Sequence, residues 1–169
     1  GVRAVQLDGR ALRTPERSPV VFPTSAAAAV VAAEWDAQSK YIMPNLMPLT
    51  RLAMTAIDRT PLSREGIIQD LLPYVDTDTV CFWEDPDRTA TSAKLHEMQA
   101  ETYQPVIDWF SDKFGGQFAQ TTGLFVTQPA GLKAEVQSWM EGLDDWTLTC
   151  LVRAAALWPR RFQFTALQD

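Results

Sequence analysis

The hydrophobic pattern changes period once, near Thr24, and that change fixes the class of fold. Before it, Val2 to Leu7 and Arg10 to Thr14 alternate apolar and polar residues. Between them Asp8-Gly9 suits the two positive-φ positions of a type I′ turn, so the pair reads as a β-hairpin. Pro15, Pro19 and Pro23 then punctuate a short extended segment around Val20 to Phe22. So small a β element cannot hold itself folded and must dock on the rest of the chain.

After Thr24 the apolar spacing is helical. Thr24 or Ser25 can cap a helix over the Ala-rich stretch to about Met43, where Pro44 forbids continuation. Leu49, Leu52, Ala53, Ala56 and Ile57, with Pro48 at the first position, predict a second helix. Ser63 can cap a third, with Ile67, Ile68, Leu71 and Leu72 on its buried side, ending by Pro73 or in the polar stretch Asp76 to Thr79. Val80 to Trp83 reads as a strand and Leu124 to Thr127 as extended. Ser92 to Phe114 is helical, kinked or divided by Pro105 and closed by Gly115-Gly116. Two last helical patterns cover 130–142 and 144–157, the second running to Pro159. The fold class is α+β: a small β element over 1–24 packed on a larger, mainly helical domain over 25–169. No internal repeat and no Gly/Ser linker interrupts it.

Composition narrows the function. Fifteen Lys and Arg against 21 Asp and Glu give a net charge of -6, which removes the counterion-release force that nucleic-acid binders use. No nucleic-acid partner is expected. The longest apolar run without charge, Ala26 to Ala33, is far short of the roughly 18 to 20 residues of a membrane span. Residues 65 to 101 hold nine acids and two bases, an acidic surface suited to a basic or aggregation-prone protein partner. Cys81 and Cys150 sit among apolar neighbours without metal-ligand spacing and read as reduced core residues.

Tests for catalysis find little to work with. His96 is the single imidazole, it lies in a predicted helix, and no G-x-S-x-G accompanies it. Neither a P-loop nor a G-x-G-x-x-G is present. Asp76-Thr77-Asp78 opens like a calcium loop, but Asp87 and Arg88 stand where the later ligands belong, so a turn or cap between helix and strand is the plainer role. Glu34 with Asp36, and Glu65 with Asp70, are carboxylate pairs of unfixed separation. A small carboxylate-based or metal-dependent hydrolase using Glu34, Asp36, Asp76 and Asp78 is the alternative they leave open. Of the six tryptophans, Trp35 stands out, because Glu34, Asp36 and Gln38 surround it as in a protein-contact hot spot, although core is the favoured role for it.

Several strings have a specific order and spacing: L-D-G-R-A-L-R-T-P (7–15), A-E-W-D-A-Q (33–38), I-M-P-N-L-M-P-L-T-R-L-A-M-T-A-I-D (42–58), Y-V-D-T-D-T-V-C-F (74–82), Q…P-V-I-D-W (99–109) and T-G-L-F-V-T-Q (122–128). In these the chain resembles the mitochondrial assembly chaperones that escort the alpha subunit of the catalytic head of the F-type ATP synthase, the F-type ATPase assembly factor 2 family. The resemblance implies a non-enzymatic, cofactor-free, monomeric protein of the mitochondrial matrix. Such a protein binds unassembled alpha subunit, shields the surface that later meets the beta subunit, and releases it during assembly.

Contact residues expected on that basis are Glu34, Trp35, Asp36 and Gln38, the turn Met47-Pro48-Leu49-Thr50, Asp58, and Asp76-Thr77-Asp78. Architectural roles stand beside these: Pro44 and Pro48 can set the angle between two helices, and Asp58 can stabilise a helix end. Family members continue beyond the position of Leu157 with further helices and an acidic stretch used in assembly, which Trp158 to Asp169 does not match. The chain thus reads as a shortened form, with the apolar faces of 130–157 partly exposed. A chain without independent activity is the third reading.

Overall fold

The structure is a computed structural model and describes the backbone of residues 3–165 and the side chains of residues 3–156. Its contacts divide into two compact units, one extending to Ile67 and resuming at Leu143, the other running from Ile68 to Gly142. The expected division after residue 24 is not where the contacts separate, because the β element and the first helices share one core.

In the first unit, strands β1 (Gln6–Leu7) and β2 (Arg10–Ala11) pair antiparallel, Gln6 opposite Ala11. Asp8 and Gly9 turn the chain with φ of 50° and 78°, as the Asp-Gly pair predicted. The proline-punctuated segment lies against this hairpin through single antiparallel bridges, Ala4 to Val21 and Arg13 to Pro19. Val5, Leu12, Val20 and Phe22 point inward and join Val31 and Ala53 in one core, to which Trp35, Ile57 and Trp146 also pack.

Helix α1 (Ser25–Asp36) begins with the Thr24 hydroxyl accepting from the Ala27 amide. It ends well before Met43, the stop expected from Pro44. The Gln38 amide donates to the Glu34 carbonyl at 2.9 Å, and the Gln38 backbone N–H turns back to Trp35, so side chain and tight turn finish the helix seven residues early. After a 3-10 turn (Pro44–Leu46) comes α2 (Pro48–Asp58), with proline in its first turn as predicted.

Helix α3 (Thr60–Leu71) is broken at Ser63 (φ -124°, ψ 15°), the residue assigned from sequence as its cap. Helix α7 (Asp145–Thr165), which continues past Pro159, returns to pack along α2. Thr60 and Thr149 share a buried hydroxyl–hydroxyl bond of 2.6 Å, and Arg64 pairs with Asp145 at 2.7 Å.

The second unit holds α4 (Tyr74–Thr77), α5 (Ala90–Phe114) and α6 (Ala130–Glu141). The strand expected at Val80–Trp83 is a 3-10 turn (Thr79–Cys81) followed by one parallel bridge, Phe82 to Thr121. The Asp78 carboxylate accepts the Val80 amide at 3.0 Å and so starts a turn where β propensity alone favours a strand. Leu124–Thr127, expected to be extended, belongs to neither a helix nor a strand.

Pro105 sits inside α5 without dividing it, and Gly115 closes the helix at φ 66°. The rings of Phe110 and Phe114 meet at a tilt, and Phe118 and Trp139 pack edge-on against Phe110 and Phe114 respectively, beside buried Leu132, Val136 and Met140. Leu132, Val136 and Met140 of α6 and Leu148 of α7 are buried, whereas Cys150, Ala154 and Ala156 of α7 are exposed, so among the described residues the partial exposure expected over 130–157 is found towards the end of that range and not at the α6 core positions.

Candidate functional site

The candidate site grows from a mismatch at the start of α2. Its N-cap position is Met47, which has no side-chain acceptor to offer the free amides of a first helical turn. Glu34, in the last turn of α1, supplies that acceptor from a different helix. One carboxylate oxygen takes the Leu49 amide at 2.7 Å, and the other takes the Thr50 amide and the Thr50 hydroxyl, each at 2.7 Å. An anion at a helix N-terminus with three charge-assisted bonds is a strong clamp.

Gln38 adds a second clamp. While its amide group holds the Glu34 carbonyl, its side-chain oxygen accepts the Met43 amide at 2.8 Å. Met47 is only 2% exposed and plugs the base of the segment.

Between these fixed points the chain presents Tyr41 (71% exposed), Ile42, Met43, Leu46 (63% exposed) and Leu49 to the outside. Large apolar side chains so close together on a surface mark an interaction site more often than chance exposure does. The Lys40 ammonium lies over the Tyr41 ring, 5.4 Å from its centre. Sequence reading missed the Tyr41–Leu46 part of this segment, although its signal is present: apart from Asn45 it is apolar, and Pro44 and Pro48 keep it out of a long helix.

The residues singled out from sequence fall into different places. Trp35 packs partly buried against the core, with its indole N–H buried and unpaired. Asp36 and Pro48 are exposed, and Thr50 is buried beneath the Glu34 clamp. Asp58 ends α2, the wrong terminus for a carboxylate to stabilise a helix dipole. It instead accepts the Glu16 amide at 3.4 Å, tying the β element to α2, and its other oxygen is buried and unpaired.

Asp76, Thr77 and Asp78 belong to the second unit and are knitted into its backbone. Asp76 accepts the Gln128 amide at 2.7 Å and pairs with Lys133, while the Thr77 hydroxyl donates to the Pro73 carbonyl. Burial raises the Asp76 pKa, but the Gln128 amide and the Lys133 ammonium outweigh it and hold the carboxyl below its ordinary range.

Gln128, the last residue of the T-G-L-F-V-T-Q string but not singled out as a site residue, is buried and joins both ends of Ala119, donating to its carbonyl and accepting from its amide at 2.8 Å each. Its amide also faces the Cys81 sulfur at 3.8 Å. Burial, with smaller help from the Asp78 charge, pushes the Cys81 thiol up to about 11, so it is a neutral core group at physiological pH. Cys150 is exposed, against the expectation of a core thiol.

The chemistry tests resolve in the same terms. His96 Nδ1 bonds the Glu84 carbonyl at 2.8 Å and its ring meets Trp83 edge-on, which gives it a packing role. Glu34, Asp76 and Asp78 each accept from backbone amides, and Glu34 and Asp36 lie in a different unit from Asp76 and Asp78. Among the described residues no three His, Cys, Asp or Glu side chains cluster as a metal site, and no helix is long and apolar enough to cross a membrane.

Comparison with known proteins gives one consistent result. The family model for the ATP12 chaperone protein matches residues 1–111. The crystal structure of Atp12 from Paracoccus denitrificans superposes with a TM-score of 0.76 at 34% identity, covering 88% of this chain and 62% of that one. The Atu1473 protein of Agrobacterium tumefaciens gives the same TM-score at 30% identity, over 93% of this chain and 60% of that one. Protein atp12, mitochondrial, of Schizosaccharomyces pombe is 28% identical over 90% of this chain. Its Saccharomyces cerevisiae counterpart is 26% identical over 89%. The chain spans 55% of the length of each of these two curated relatives. With two thirds of its residues under the family model and a shared fold, this chain belongs to the ATP12 chaperone family.

Proposed function

We propose that this chain holds an unassembled subunit of the ATP synthase catalytic head, the alpha subunit, keeping its assembly surface from aggregating until the beta subunit takes over. The observation that carries this reading is the clamped apolar segment Tyr41–Leu49. It is too apolar to be a solvent loop, and its two clamps remove the ordering entropy that an unclamped loop loses on binding.

Contact falls to Tyr41, Ile42, Met43, Leu46, Pro48 and Leu49, with exposed Asp36 on the rim. Glu34, Trp35, Gln38, Met47 and Thr50 position that surface from beneath. Asp58 and the Asp76-Thr77-Asp78 turn stabilise their own units. The work is done by binding alone, without catalysis or cofactor, by a monomer in the mitochondrial matrix. The mitochondrial names of the yeast relatives support that location.

The test is suppression of aggregation. Alpha subunit diluted from denaturant is expected to stay in solution with an equimolar amount of this chain, and beta subunit is not. Ile42→Asp with Leu46→Asp is expected to reduce the protection at least tenfold while leaving the melting temperature unchanged. Equal protection by the double variant overturns the assignment of the segment, and equal protection of both subunits overturns the assignment of alpha.

A further inference from the structure

Helix α5 carries a second exposed surface, in the other unit, that the function proposed above does not use. Its inward side is formed by Tyr103, Ile107, Phe110 and Phe114. Beside that, Leu95, Met98, Val106 (47% exposed) and Trp109 (56% exposed) project outward. At 100° per residue these four fall within an arc of about 80°, a stripe about 21 Å long at 1.5 Å per residue. Thr102, in the middle of the stripe, has its hydroxyl bonded to the Met98 carbonyl at 2.8 Å. At the C-terminal end the Lys113 ammonium lies over the Trp109 and Trp139 rings, 5.0 and 4.1 Å from their centres, and supports the Trp109 indole.

One edge of the stripe is predominantly acidic, four carboxylates against the single exposed base Lys94 near its N-terminal end. Glu97, Glu101, Asp108 and Asp112 are exposed and fall within an arc of about 60° immediately beside it. We infer that this face of α5 docks a basic amphipathic helix, its apolar side on Leu95, Met98, Val106 and Trp109 and its Lys or Arg residues along the acidic row. The stripe is one helix wide, and the net negative charge of its edge selects the partner's charge. A second copy of this chain fits badly. An antiparallel two-fold pair of α5 helices sets the acidic row against itself, and four side chains fall short of the roughly 800 Å² per partner of a stable interface.

Fluorescence anisotropy on the intact chain tests this with three labelled 18-residue synthetic peptides. One has leucines at helical spacing and lysines along one edge, one is its scrambled counterpart, and one carries glutamate for lysine. The patterned lysine peptide is expected to bind at least tenfold tighter than either control. Val106→Glu and the fourfold reversal Glu97→Lys, Glu101→Lys, Asp108→Lys, Asp112→Lys are each expected to weaken it at least tenfold.

The altered positions are exposed, so unchanged thermal unfolding serves as the folding control. Equal binding of the scrambled peptide, indifference to Val106→Glu, or a dimer of the chain that Val106→Glu dissociates overturns the inference. So does failure of acrylamide to quench Trp109 in a variant whose other tryptophans are phenylalanine, since the stripe is then already covered.

Discussion

Glu34 is the residue on which most depends, and its role differs from the one its surroundings suggested. A charge beside a tryptophan reads as a contact, yet the carboxylate faces inward and caps α2 across a gap of fifteen residues in sequence. Sequence could not reveal this, because the need arises from Met47, a residue unable to cap its own helix. Glu34→Ala is expected to destabilise the fold by about 2 kcal/mol, between the cost of a lost N-cap and that of a hydrogen bond to a charge. Urea titration checks it, and Glu34→Gln is expected to recover part of the loss.

The carboxylates also set a pH response. Asp76 is held below the ordinary range by Gln128 and Lys133 against the effect of burial, and Asp144 by the Thr147 hydroxyl and amide at the start of α7. Each binds its proton more weakly folded than unfolded. The stability it contributes is therefore complete above the ordinary carboxylate pKa of about 4 and is lost as pH falls through the lower folded value. Urea midpoints are expected to drop as pH falls below about 4, and Asp76→Asn with Asp144→Asn is expected to flatten that slope.

The thiols divide just as clearly. One fast-reacting thiol, Cys150, is expected with a disulfide reagent in the native state, and Cys81 is expected to react only on unfolding.

Among the elements, the long amphipathic patterns were legible and the short ones were not. The Asp8-Gly9 hairpin, α2 behind Pro48, and α5 up to Gly115 follow from local rules that tertiary packing had no reason to override. Val80–Trp83 failed as a strand because one carboxylate, Asp78, started a turn there. The stop of α1 was misplaced because Gln38 ended the helix before Pro44 could. Both errors come from side-chain bonds to backbone, which a period of hydrophobicity does not record. The packing of α7 onto α2 carries its own test. Leu148 is fully buried in α7, and Leu148→Ala is expected to cost about 2 to 5 kcal/mol in chemical denaturation, the range for a core leucine whose cavity collapses only in part.

At the scale of the whole chain, strings of specific order pointed to a family, and the match over residues 1–111 and the fold shared with the Paracoccus protein bear that out. The surface was the part sequence could not place, since apolar residues in a turn look alike whether they face a core or a partner. Here Met47 faces the core while Met43 and Leu46 face outward.

The most direct measurement places a photo-crosslinking phenylalanine analogue at Leu46, and separately at Leu62, which is also exposed, and presents each protein with unassembled alpha or beta subunit. A crosslink from position 46 to alpha, absent from position 62 and absent with beta, is the expected result. Crosslinking to alpha from 62 and not from 46 contradicts the assignment of the Tyr41–Leu49 segment as the surface that holds the subunit.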